Sequence, residues 1–170
     1  ITGDPGSGKS ALVSQLICSP NSSALIHSRI LGFHFCSHFN KGTQNAAKFV
    51  RNLANMIALK IRPYRYIISS DPFIQKLLHV DCFQDPIGCF EQSILMPLND
   101  LDLVSHNWYV IVDALDECAT RDNLEENNII NLLQSKLLLF PKWFRLILTS
   151  RRETSVIKYF RGAHSFEIQA

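Results

Sequence analysis

The sequence predicts an α/β fold in which helices cover both sides of a parallel sheet, as one domain over residues 1–170. Three observations carry this. The runs "NWYVIVD" (107–113) and "FRLILTS" (144–150) are apolar almost throughout, as strands covered on both faces are. Strand-like runs alternate with stretches of helical periodicity, the pattern of a sheet layered with helices. A glycine-rich opening, "GDPGSGKS", stands between a strand end and an amphipathic segment.

Taken in order, Ile1 and Thr2 read as the last residues of a first strand, so the sequence is expected to be a piece of a longer protein. Leu12, Val13, Leu16 and Ile17 recur at helical spacing, and Ser19-Pro20-Asn21 ends that helix. "RILGFHFCSHF" (29–39) is aromatic and β-branched enough for a strand. Thr43 is expected to cap a long helix whose apolar face is Ala46, Phe49, Val50, Leu53, Ala54, Ile57 and Ile61. Asp71-Pro72 and Asp85-Pro86 each place a capping acid before a proline suited to the first helical turn, so two further helices start there. A helix is predicted over roughly 123–137, and "HSFEIQ" near the end alternates as a further strand.

Composition narrows the functional classes. A formal net charge of +2 is too small for the basic stripe of a nucleic-acid binder, and no apolar run reaches the length of a membrane span. Five cysteines at irregular spacing, without C-x-x-C, read as free buried thiols in a reducing, cytoplasmic compartment.

Three stretches carry chemistry. In the first, Gly3, Gly8, Lys9 and Ser10 fit G-x-x-x-x-G-K-[ST], with Asp4, Pro5, Gly6, Ser7 and Ala11 completing the loop. Glycines let backbone N–H groups wrap around phosphate oxygens, Lys9 is a point charge for β- and γ-phosphates, and the Ser10 hydroxyl suits Mg²⁺. In the second, "WYVIVDALDEC", a buried strand delivers Asp113 to the sheet edge where ligands of such sheets bind, as a Mg²⁺ acid. Asp116 and Glu117 follow within one turn as candidate bases for an attacking water, Asp116 first, with Glu117 expected to point away from it. In the third, "RLILTSRRE", Arg151 is placed to stabilise charge on a γ-phosphate, in preference to Arg152.

Together the three stretches resemble the STAND class of phosphate-loop NTPases, relatives of the AAA+ ATPases, and within it the NACHT-like group. "GDPGSGKS" is similar to a Walker A loop, "YVIVDALDE" to a Walker B strand with a second acidic pair, and "LILTSR" to a sensor 1 strand and arginine. "LGFHFCSHFN" resembles the corresponding strand in NTPase modules of TANC-like ankyrin- and TPR-repeat scaffold proteins. The resemblance implies a three-layer P-loop fold with strand order 5-1-4-3-2. It also implies ATP or ADP with Mg²⁺, winged-helix and repeat segments elsewhere in the protein, and self-association. Ala114 stands where AAA+ ATPases carry a glutamate.

Other features read more plainly. His34, Cys36 and His38 share a strand face in a metal-compatible H-x-C-x-H spacing, but the interleaved Phe33, Phe35 and Phe39 favour packing. "NKGT" (40–43) reads as a turn and lacks the acid of a guanine-reading motif, which favours ATP over GTP. Arg51, Lys60, Arg62 and Arg65 read as a solvated face, and Trp108 and Trp143 as packing at the buried strands. The sequence therefore favours an ATP-binding, slowly hydrolysing switch. A nucleotide-binding or interaction module without turnover is the main rival, and a small-molecule kinase the lesser one.

Overall fold

The chain is described by a computed structural model covering residues 1–19, 24–101, 106–118, 128–152, 158–160 and 162–168. Its strands are β1 (Thr2–Gly3), β2 (Ile30–Phe35), β3 (Trp108–Asp113), β4 (Phe144–Leu148) and β5 (Glu167–Ile168). They form a three-stranded parallel sheet, β2-β3-β4, and a two-stranded parallel sheet, β1-β5. An isolated parallel bridge between Thr2 and Ser150, just past β4, joins the two. Around it the Ile1 nitrogen donates to Leu148 O at 2.7 Å and Ser150 N to Ile1 O at 3.1 Å. All these strands run the same way, so their C-terminal ends share one edge.

Residues of β3 alternate between two apolar clusters. Val110 and Val112 enter the main core, while Ile111 packs with Val13 and Ile30 on the other face. That double burial is why the run is apolar at every position. In β2 the register slips between Ile30, opposite Tyr109, and Gly32, opposite Val110, so Leu31 is an extra residue. A Cβ on Gly32 would come within 2.7 Å of Leu53 Cδ1 and press on Met56, so a side chain there would push these residues of the long helix aside.

The helices are α1 (Lys9–Cys18), α2 (Ala24–His27), α3 (Lys41–Gln44), α4 (Ala46–Lys60), α5 (Arg62–Ser70), α6 (Pro72–His79), α7 (Pro86–Phe90), α8 (Met96–Asn99) and α9 (Ile129–Ser135). The predicted apolar face of α4 is buried as expected. Asp71 caps α6 by accepting from Phe73 N and Ile74 N, and Asp85 caps α7 by accepting from Gly88 N. Between α7 and α8 lies a π-helical turn, Glu91–Leu95. Pro97 has no N–H for the Ser93 carbonyl one turn back. The buried Tyr64 hydroxyl donates to that carbonyl at 2.9 Å, and its burial raises the phenol pKa.

Several expectations need correction. The strand predicted over 29–39 ends at Phe35, because the chain turns after Cys36 N donates to Asp113 O at 3.0 Å. Thr43 is not the cap of the long helix: Asn45 is, accepting from Lys48 N, while Asn40 caps α3 inside "NKGT". Thr43 instead accepts from Ser37 N and donates to Asn40 O, closing the turn between β2 and α3. Phe33 and Phe35 touch each other edge-on but stay partly exposed, because β2 turns its other face to α4, and Phe39, past the end of the strand, is fully exposed rather than packed. The helix predicted over 123–137 is seen from Ile129, capped by Asn128, and residues 119–127 lie outside the described residues. Arg65 is not simply solvated: it donates to Ala58 O and Leu59 O at the C-terminal end of α4.

The cysteines are the largest departure. Cys36 is bonded to Cys118 and Cys82 to Cys89, leaving Cys18 as the free thiol. A sequence separation of 82 for the first pair gives no local signal, yet the fold brings its Cα atoms to 5.3 Å. By loop-closure entropy the two bonds contribute about 4.5 and 2.5 kcal/mol respectively.

Candidate functional site

The glycine-rich loop leaves β1 at the shared edge and feeds α1. Gly6 and Gly8 have φ of 81° and 86°, in the left-handed region that glycine enters without strain. Gly3 is held differently: a Cβ there would meet Ile168 O of β5 at 2.6 Å and Ser7 Oγ at 2.7 Å. Lys9 curls back over the loop, donating to Gly3 O at 2.7 Å, Asp4 O at 2.8 Å and Ser7 Oγ at 3.2 Å. Asp4, Pro5, Gly6, Gly8, Ser10 and Ala11 are exposed. The loop therefore presents backbone N–H groups, a helix N-terminus and a cation at an open edge, a donor set that suits phosphate oxygens.

The second component is the turn after β3. Asp113 is 3% exposed, and its Oδ1 accepts from Thr149 Oγ1 at 2.5 Å. The same Thr149 hydroxyl accepts from Ala114 N at 2.9 Å, and Leu115 N donates to Thr149 O at 2.8 Å. Ala114 has φ of 53°, the one non-glycine residue with positive φ among the described residues. The chain thus bends sharply straight after Asp113, into a 3₁₀ turn over Leu115–Cys118. Strain of this kind persists only where neighbours enforce it, and here Thr149 does so.

Asp116 and Glu117 converge on Arg151. Asp116 Oδ1 accepts from Arg151 N at 3.0 Å, and its Oδ2 lies 3.4 Å from Arg151 Nε with no hydrogen-bond partner, although the side chain is almost fully buried. Glu117 Oε1 lies 3.3 Å from Arg151 Nη2, and its Oε2 accepts from His38 N at 3.2 Å. Glu117 therefore does not point away from Asp116 as the sequence reading expects: one guanidinium spans both acids. Arg152 faces elsewhere, in an ion pair with Glu167 of β5.

His34 and Cys36 do lie together, but their third neighbour is Cys118 rather than His38, with candidate ligand atoms within 4.8 Å of one another. The two sulfurs are bonded to each other, which removes them as thiolate ligands. His34 Nε2 is 2.7 Å from Thr43 O, and burial lowers the imidazole pKa against the raising effect of that bond.

Two contributors went unrecognised in the sequence. Thr149 is one: a hydroxyl at the end of an apolar strand, beside a strand ending in Asp, is its only local sign. Gln44 is the other, donating to Ser37 O at 3.1 Å and Glu117 O at 3.3 Å, with no motif to mark it.

The parallel strands, the glycine-rich loop after β1 and the acidic turn after β3 define a mixed α/β domain with parallel sheets. Residues 1–151 match the family model described as Nephrocystin 3, N-terminal, and the chain belongs to that family. No solved structure matches the chain. Among the described residues no helix is long and apolar enough to cross a membrane.

Proposed function

We propose that this chain is an ATP-binding switch module of the STAND, NACHT-like type, whose nucleotide state controls the conformation or assembly of a larger scaffold protein. The observation that carries the reading is the meeting of three separate segments at one sheet edge. These are the Gly3–Ser10 loop after β1, Asp113 at the end of β3, and Arg151 after β4. The Thr2–Ser150 bridge supports reading the two sheets as one, in the order β5-β1-β4-β3-β2 that P-loop proteins of this type use.

The residues fit the groups the reading requires. Gly6 and Gly8 permit the loop to close around phosphates, and Lys9, now bonded to loop carbonyls, is the cation within that loop. Ser10 and Asp113 would hold Mg²⁺, with Thr149 fixing the Asp113 carboxylate. Bound Mg²⁺ would supply charge neutralisation across the β- and γ-phosphates. Arg151 carries the positive charge available for a γ-phosphate, and Asp116 is the leading candidate to orient or deprotonate water, with Glu117 in reserve.

A second reading, nucleotide binding without turnover, is favoured by two features. Both candidate bases are engaged by Arg151, and Ala114 offers no carboxylate beside Asp113. Single-turnover hydrolysis of Mg·ATP separates the two. The switch reading expects slow, Mg²⁺-dependent turnover that Arg151→Ala alters, whereas binding with no turnover leaves the inert module. Absence of both binding and turnover contradicts each.

A further inference from the structure

The Cys36–Cys118 bond crosses the gap between the end of β2 and the acidic turn, and nothing in the proposed chemistry uses it. Three other links cross the same gap. Cys36 N donates to Asp113 O at 3.0 Å, His38 N donates to Glu117 Oε2 at 3.2 Å, and Gln44 Nε2 bridges Ser37 O and Glu117 O. The strand ladder itself continues to the pair Phe35–Asp113. The two cysteines are therefore held as neighbours whether or not their sulfurs are joined.

Asp116 and Glu117 immediately precede Cys118, so the bond to Cys36 is a covalent tether on the backbone that carries both partners of Arg151. The Cys82–Cys89 bond is different in kind: it ties residues only seven apart within the helical block, in the turn Asp81–Phe83 and in α7.

We propose that Cys36 and Cys118 form a reversible dithiol–disulfide couple, a redox modification site that holds the Leu115–Cys118 turn when oxidised and loosens it when reduced. Its effect on nucleotide rests on the ATP-switch reading; its effect on the turn does not. Cys36 is the more exposed residue of the pair, 6% against 0% for Cys118, and so the side from which a reductant approaches. One thiolate of a dithiol reductant attacks Cys36 Sγ, the protein S–S bond breaks, and Cys118 leaves as a thiolate that takes up a proton. The reductant's second thiolate then attacks its own sulfur in the mixed disulfide and expels Cys36, which is protonated in turn. The reductant ends as a disulfide and the protein as two thiols, which must part from bonding to van der Waals separation. Reduction thereby removes the covalent tether on the turn carrying Asp116 and Glu117, leaving it to its hydrogen bonds alone. Oxidation by a small disulfide reverses each step.

The test poises the whole chain in graded ratios of reduced and oxidised dithiothreitol. Free thiols are trapped with a maleimide, cross-linked peptides are mapped by mass, and amide exchange is followed over 113–118. The expected result is a two-electron transition of the Cys36–Cys118 peptide, with exchange in the turn at least about 10-fold faster on reduction. Cys36→Ser and Cys36→Ala should show the fast exchange without reductant. In the double variant Cys82→Ala, Cys89→Ala the response of the turn should persist, which assigns it to the first pair. Absence of a Cys36–Cys118 cross-link under oxidising conditions overturns the proposal, as does equal exchange in both states. Mg·ATP titration of both states runs alongside. A redox-dependent turn in a chain that binds no ATP would sustain this inference and remove the nucleotide reading.

Discussion

Two connections leave the same sheet edge and are built to opposite plans. The loop after β1 is exposed and glycine-rich, and its cation is bonded to its own carbonyls. The turn after β3 is buried, bent at a strained alanine, tied to β4 through Thr149 and joined covalently to the residue after β2. The first can rearrange around a ligand at little cost, because Gly6 and Gly8 have few steric limits and Lys9 has only to exchange partners. The second holds its carboxylates in place before any ligand arrives, which is what a site acting on developing charge requires. On the proposed nucleotide-switch reading, the difference teaches where plasticity belongs: in the part that would wrap phosphate, not in the part that places the acids.

Breaking the rigid side should give the largest effect. Asp116→Asn keeps shape and removes the proposed base, so Mg·ATP should still bind while single-turnover hydrolysis falls by about 10²- to 10⁴-fold. Wild-type rates in this variant would pass the role to Glu117 or to no residue of this chain. Next comes Thr149→Val, which strips the hydroxyl shared by Asp113 and Ala114 N. It should cost about 1.5–3 kcal/mol and lower Tm by roughly 3–12 °C in thermal melts. An unchanged melt would mean that Thr149 does not enforce the bend.

Ala114→Gly sharpens the comparison from the other direction. At φ of 53° the alanine is strained, so glycine should raise stability by about 0.5–1 kcal/mol, read in a urea titration as a higher midpoint at unchanged slope. The smallest effect concerns pH. Because the folded His34 pKa lies below its usual 6.5, the unfolded chain binds the proton more readily. Stability should therefore fall as pH drops below about 6.5 and onward through the lower folded value. His34→Gln should flatten that slope in melts between pH 7.5 and 5.5.

The same contrast governs what the sequence could disclose. The place of the glycine-rich loop between β1 and α1 was readable, because its glycines act through local geometry at fixed spacing. So were β3, apolar on both faces, and the helix starts at Asp71 and Asp85, whose caps reach only two or three residues ahead. The rigid turn was readable only in part. Asp113 follows from the strand it ends, but Thr149, Gln44 and Cys36 reach the turn from residues 35, 73 and 82 positions away, and periodicity does not register such partners. The extent of β2 was overestimated for a related reason. Its aromatic alternation continues past Phe35, while the hydroxyl of Thr43 draws the chain into a turn.

The most direct measurement of the central claim is calorimetric titration of Mg·ATP into the chain, beside Lys9→Ala. If the flexible loop is the phosphate-binding element, the wild type binds and Lys9→Ala loses about 1.5–3 kcal/mol, roughly 10- to 150-fold in Kd. Equal affinity in the two proteins, or no binding by the wild type, would contradict the account.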